Sequence, residues 1–280
     1  MKRREFLTGF ASVAALSTLS PMHTLASLSV AELGRKAQRG NEEFIREKGI
    51  GVKKEVVEVR GEKFSILLFE KDGPSKQKFF VPHDNEVAAF DSALRFVGEH
   101  GGTLVTLDSG GERNLKTQTG KSTGQDPNRM FAETSSHWPL AQHILQVIQE
   151  KGAPVITLHN NAPIGSFILS ITKPSKGLTL YTVNKQKQRD VVWMSRKEHT
   201  VPDDTKKIIS SLNASGVNCV YEVFDGTKST DGSLSQYCAK IGVPYFNIEI
   251  GLQGPSEAHV LDARDRQTST LHALLQALKR

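Results

Sequence analysis

Four short stretches carry side chains that their apolar neighbours do not call for. KFFVP ends at His83, and Glu86 follows three residues on. PVITL ends at His159, followed by Asn160 and Asn161. YFNIEIG holds Glu249 inside an otherwise apolar run, and DPNRMF sets Asn128 beside Arg129 in a polar stretch. Two histidines and one carboxylate form a common ligand set for catalytic zinc, with a fourth position left for water. Zinc lowers the pKa of that water and polarises a carbonyl. A further acid nearby can take the water's proton and pass it to a leaving amine. Glu249 is read in that role, because a buried carboxylate is costly unless it faces charge or a wet cleft. Arg129 can clamp a carboxylate in bidentate fashion, and Asn128 can hold the same group. Each residue also has a plainer reading. H-x-x-E pairs arise by chance, a strand-end histidine is commonly a hydrogen-bonded loop residue, and Asp126-Pro127 opens a turn. His100, His137, His143, His199, His259 and His272 take the plainer reading.

The elements that must position these groups follow from periodicity. EVVEVRG, KFSILLFEK, KFFVPH and GTLVTLDS read as strands, as do PVITLHNN, TLYTV, NCVYEVF and PYFNIEIG. Residues 85–101 have the helical period, with Val87, Phe90, Leu94 and Val97 on one face and Gly101-Gly102 as the stop. Further helices are expected at 138–151, 203–215 and 233–242, and a closing amphipathic helix over 256–280 carries Leu271, Leu274, Leu275 and Leu278. Residues 27–50 read as a polar, helix-prone lead-in. Residues 109–136 form a long polar loop, of a length that usually serves function. Strands alternating with helices imply an α/β fold whose largely parallel or mixed sheet has helices on both faces. In such sheets ligands sit beyond the carboxyl ends of the strands.

The chain has 280 residues, 38% hydrophobic and 24% charged, which suffices for a core and argues against disorder. Its net charge of +6 comes with no basic tract and no aromatic-interleaved RNA motif, so no nucleic-acid partner is expected. MKRREFLTGFASVAALSTLSPMHTLA has a basic start, a modest apolar stretch and small residues at Thr24 and Ala26. Residues 1–26 are therefore expected to be a signal peptide cleaved near Ala26, with Arg3-Arg4 giving it a twin-arginine character. The apolar part is too short for a membrane span. The mature chain, 27–280, is expected to be a single periplasmic domain. Cys219 and Cys238 could pair in an oxidising compartment.

The ordered set HDNE (83–86), DPNRMF (126–131), LHNN (158–161) and NIEIG (247–251) resembles the zinc carboxypeptidase superfamily. It looks especially like the branch with succinylglutamate desuccinylase and aspartoacylase. The resemblance implies a three-layer α/β/α sandwich around a mixed, mostly parallel central sheet. It implies one Zn2+ per chain on His83, Glu86 and His159, with Glu249 as general base and then acid. It makes Asn128 and Arg129 the holders of the substrate carboxylate, and Arg113 in GGERNL the match to an oxyanion-stabilising arginine. Tyr245 and Tyr237 lie near the place of the family's substrate-binding tyrosine. That branch carries an extra C-terminal β domain, whereas the residues after Glu249 read as helical, so its narrow acyl-amino-acid specificity does not transfer.

The expected function is a zinc-dependent hydrolase of an amide bond adjacent to a free carboxylate. Its substrate would be a small peptide or N-acyl amino acid, and in the periplasm peptidoglycan stem peptides fit that description. The alternative is a non-catalytic periplasmic binding protein for a carboxylate or peptide, although such proteins read as two similar lobes. A serine hydrolase built on Ser233 in DGSLS lacks G-x-S-x-G, and Ser233 reads better as a helix N-cap. H-E-x-x-H is absent.

Overall fold

The computed structural model describes residues 26–27, 33, 36–161, 178–183, 190–224, 226 and 231–279. The expected signal peptide lies outside the described residues except for Ala26. Ala26–Ser27 (β1) pairs with Gly51–Val59 (β2), and the helix Asn41–Lys48 (α1) lies between them in the chain. Glu62–Lys71 (β3) follows through a tight hairpin, then Lys78–Val81 (β4), Val87–His100 (α2) and Gly102–Asp108 (β5). Trp138–Ile148 (α3) leads into Val155–Asn161 (β6). Beyond it come Leu178–Tyr181 (β7), Val191–Arg196 (β8), Asp203–Ala214 (α4), Asn218–Val223 (β9), Leu234–Ile241 (α5), Tyr245–Gly251 (β10) and Glu257–Leu278 (α6).

All ten strands form one sheet, in the order β1-β2-β3-β5-β4-β6-β10-β8-β9-β7. Its centre, β5-β4-β6-β10, is parallel. Hairpin-like antiparallel pairings fill the β1–β3 side, and β8 runs antiparallel to β10. Parallel pairing is thus confined to the centre and to β8 against β9, so the sheet is mixed, with four parallel and five antiparallel pairings, and is not the mostly parallel one that the resemblance implies. Helices cover both faces, as the α/β reading requires. Ile45, Leu94, Val97, Leu212, Leu271 and Leu274 place α1, α2, α4 and α6 on one face. Leu140, Ile144, Leu234 and Cys238 place α3 and α5 on the other.

This topology locates the crevice. From β4 the chain passes through α2 on one face to β5, then returns through α3 on the opposite face to β6, on the other side of β4. The carboxyl ends of β4 and β6 therefore part at a switch point, where open α/β sheets bind ligands. His83 follows β4 and His159 lies near the end of β6.

The strand β8, VVWMSR, is an addition to the strands that the sequence pattern marks. Cys219 and Cys238 are free thiols, because β9 turns Cys219 into the core under α4 and α6 while α5 buries Cys238 on the other side of the sheet. Burial pushes both thiols up, Cys219 to about 12. Among the described residues no helix is long and apolar enough to cross a membrane.

Candidate metal centre

β4 stops at Pro82, and the next four residues turn into α2. Asp84, in that turn, is held by the backbone N–H groups of Ser109 and Gly111, both at 2.8 Å, and by the Lys36 ammonium. This buried acid fastens the end of β4 to the loop that carries Arg113. Glu86 is the residue from which α2 departs. The Ala89 N–H in the first turn donates to Asn160 Oδ1 at 2.9 Å. Gln267 of α6, fully buried, donates to the carbonyls of His159 (3.0 Å) and Ile248 (3.3 Å) and takes a hydrogen bond from Asn160 (3.1 Å). The start of α2 and the ends of β6 and β10 are thus locked together.

The result brings His83, Glu86 and His159 into one buried cluster whose donor atoms all lie within 4.8 Å of one another. His83 Nδ1 is 2.7 Å from Glu86 Oε1, and its Nε2 is 2.9 Å from Asp126 Oδ1. His159 Nδ1 stands 3.1 Å from Glu86 Oε2. That close approach is not aligned as a hydrogen bond, and Glu86 Oε2 and His159 Nε2 remain buried without a hydrogen-bond partner among the described residues. Orphaned acceptors in a buried cluster of two imidazoles and a carboxylate are what a divalent cation would satisfy, so the donor set fits a metal of the zinc type. Burial disfavours a charged His83 ring, but the carboxylates of Glu86 and Asp126 outweigh it and push His83 up to about 9. Burial likewise works against an ionised Glu86, and the two histidines overcome it and hold the acid well below the usual range.

Parallel pairing of β6 with β10 sets Glu249 directly beside His159. Its Oε1 accepts from Asn247 Nδ2 at 2.9 Å. Burial raises the Glu249 pKa and the Glu86 charge adds to this, while His159 and the Asn247 hydrogen bond oppose it. The group is therefore poised to accept and release a proton. These residues line a cleft of about 760 Å³ that also takes in Arg113, Asn128, Arg129 and Tyr245. Arg113 reaches Glu86 Oε1 and Asp126 Oδ2, both at 3.2 Å, so it stands on the metal side of the cleft. Arg129 pairs with Asp231 at 3.3 Å, with both side chains about half exposed. Asn128 Oδ1 is buried without a hydrogen-bond partner among the described residues. The turn that bears this pair sits against Gly232, where a Cβ would meet the Arg129 carbonyl oxygen at 2.5 Å on a backbone of φ +78°. Only glycine fits there.

Some expected residues fall elsewhere in the arrangement. Tyr245 lines the cleft, but its hydroxyl is engaged with Thr157 Oγ1 at 2.7 Å. Tyr237 packs on Trp138 with 5.5 Å between ring centroids. Ser233 caps α5 by accepting from Gln236 N, and its other hydroxyl contact is Ser235, so among the described residues no histidine is placed to activate it. The sequence marks Asp126 only as a turn opener. It does accept from Asn128 N at 2.8 Å, but its carboxylate also orients His83. The signal was its place one residue before the proline of an N-R pair, which the turn reading absorbed.

A scan against protein-family models finds no match, and a search of curated proteins finds none. Solved structures do align. A candidate metallopeptidase from Shewanella amazonensis matches at 14% identity and TM-score 0.45, over 84% of this chain and 89% of that one. An aspartoacylase family protein from Mesorhizobium loti matches at 14% identity and TM-score 0.46, over 82% of this chain and 67% of that one. The tripeptide-bound cell shape determinant Csd4 of Helicobacter pylori matches at 13% identity and TM-score 0.48, over 76% of this chain and 55% of that one.

Proposed function

We propose that this chain is a zinc-dependent hydrolase of an amide bond next to a free carboxylate, acting in the periplasm on peptides such as peptidoglycan stem peptides. The observation that carries the reading is the buried His83–Glu86–His159 cluster, with unsatisfied donor atoms and Glu249 in register beside it. His83, Glu86 and His159 would hold the ion, which when bound supplies an acidified water and a polarised carbonyl. Asp126 fixes the orientation of the His83 ring. Glu249 takes a proton from the attacking water and hands it to the leaving nitrogen, a task suited to a carboxyl whose pKa is raised. Asn128 and Arg129 orient the substrate by its terminal carboxylate. Arg113 faces the developing negative charge at the reacting carbonyl. The periplasmic assignment rests on the twin-arginine character of residues 1–26, and the peptidoglycan assignment on that location.

The test is the metal content of the purified protein beside that of His83→Ala. One zinc per chain, lost in the variant, supports the reading. A chain that neither carries nor is stabilised by a divalent ion refutes it and favours a carboxylate-binding protein.

A further inference from the structure

A second pair of histidines meets far from the cleft. His100 is the last residue of α2, and His272 lies on α6, 172 residues away in the chain. Their rings are nearly perpendicular, with 87° between the planes, and the two Nε2 atoms stand 3.2 Å apart. Phe96, buried one turn earlier on α2, packs against both rings, at 4.6 Å and 5.5 Å between centroids. The Thr268 carbonyl, one turn earlier on α6, lies against the His272 ring. Because Nε2 of that ring is turned toward His100, the carbonyl is placed for Nδ1–H, and Nε2 keeps its lone pair. A ring N–H given to a backbone carbonyl is the usual support for an imidazole that binds a metal through its other nitrogen.

The third group is an acid. The Glu99 carboxylate stands 3.8 Å from His100 Nε2, and the donor atoms of Glu99, His100 and His272 all lie within 4.8 Å of one another. A proton shared between the two nitrogens would leave Glu99 unused, whereas a cation would satisfy all three groups. A tetrahedral ion with bonds of about 2.0–2.1 Å to nitrogen holds its ligand nitrogens about 3.3 Å apart, close to the spacing of this pair. Two imidazoles select an ion of the zinc, copper or nickel kind over calcium or magnesium, which take oxygen ligands.

This cluster is separate from the one at His83. α2 is 14 residues long, so at about 1.5 Å per residue His100 stands about 21 Å along its axis from Glu86. His100 and His272 line a different cavity, of about 980 Å³, which also takes in Lys78, Pro154 and Pro244 at the amino ends of β4, β6 and β10. The His83 cluster sits at the carboxyl ends of those strands.

We propose that His100 and His272, with Glu99 as third ligand, form a second metal site, for a divalent ion of the zinc class, that ties the end of α2 to α6. α2 departs from Glu86, and α6 carries Gln267 five residues before His272, so an ion here braces the frame of the buried cluster without touching it. The Glu99 and His100 side chains are both about half exposed, so the ion exchanges with solvent. The site fills under free zinc and empties on desalting, while the buried cluster keeps its ion. The assignment does not depend on the hydrolase reading.

The test is equilibrium dialysis of the untagged chain against micromolar free zinc, read by elemental analysis. The wild type should hold two zinc ions per chain, and His100→Gln and His272→Gln one each. His83→Ala should also hold one, and lose it when His272→Gln is added. Zinc beyond the first equivalent should raise the melting temperature of the wild type and leave that of His272→Gln unmoved. Glu99→Gln, a change to an exposed side chain that leaves the fold intact, should weaken the second ion about tenfold or more, the loss that even an outer partner of a metal ligand causes. A wild type that holds one ion and loses it in His83→Ala overturns the proposal. So does a second ion retained by either histidine variant, or held as tightly by Glu99→Gln. A count that falls in His272→Gln and not in His83→Ala leaves this site standing and removes the catalytic one.

Discussion

Glu249 is the residue whose surroundings say most about its task. It is half-buried on a central strand, accepts one hydrogen bond from Asn247 and sits beside His159. Replacing it with glutamine keeps that packing and removes the proton acceptor. We expect Glu249→Gln to lower kcat by about 10²–10⁴-fold while metal content stays unchanged, checked by steady-state kinetics beside elemental analysis. His83 supplies a second residue-level prediction. In the metal-free chain its ring is pushed up to about 9, whereas a ligating imidazole must be neutral. Metal binding at neutral pH should therefore release a proton, and the release should vanish as the pH rises past about 9. Calorimetry in two buffers of different ionisation enthalpy measures it, and a pH-independent heat difference of zero would sink the idea. The sequence displayed His83, Glu86, His159 and Glu249 because polar groups at the ends of apolar strands stand out. It hid Asp126, because one aspartate can open a turn and orient a histidine at once, and only the first use has a local signature.

At the scale of elements, the site depends on a lock between α2, β6, β10 and α6. Asn160 closes the first turn of α2, and Gln267 reaches both strands. Asn160→Ala should cost about 1–2 kcal/mol in chemical unfolding, the usual loss for a helix-start acceptor. It should also weaken metal binding, because Glu86 leaves from the freed turn. The Arg129–Asp231 pair gives an element-level prediction on substrate. Asp231→Asn frees the guanidinium, so KM for carboxylate-terminated substrates should fall by a few-fold with kcat little changed, since an exposed pair is worth about 1 kcal/mol or less. Steady-state kinetics on one such substrate decides it, and a raised KM would show that Asp231 helps to position Arg129. Most of these elements could be read from apolar periodicity. The parallel centre followed from the βαβ rhythm, and the antiparallel flanks did not, because pairing partners are chosen by tertiary contacts. VVWMSR (β8) opens a strand–helix–strand unit with α4 and the parallel β9, but its residues show no strict apolar–polar alternation to mark it. The neighbourhood of Glu249 and His159 depends on the register of two strands far apart in sequence, which no local pattern encodes.

For the whole molecule the metal cluster sets a stability window. In the metal-free chain the His83 pKa is raised, so its contribution is fully present below the ordinary 6.5 and is lost as pH climbs through about 9. Glu86 is held low, so its contribution is present above the ordinary 4.5 and is lost as pH falls toward its depressed value. Thermal melts of the metal-free protein should peak between these limits and decline on the alkaline side. His83→Gln should flatten that alkaline decline. Metal should add about 2.7 kcal/mol when present at a hundred times its Kd, and a chelator should reverse the gain. The sheet that organises the cluster also divides the core in two, and each half encloses one thiol, Cys219 on the face of α4 and α6 and Cys238 on the face of α5. Neither sulfur can react until its own half comes apart. The two cysteines are therefore built-in gauges, and their separate rates of alkylation would report whether the two sides of the molecule open together or one before the other.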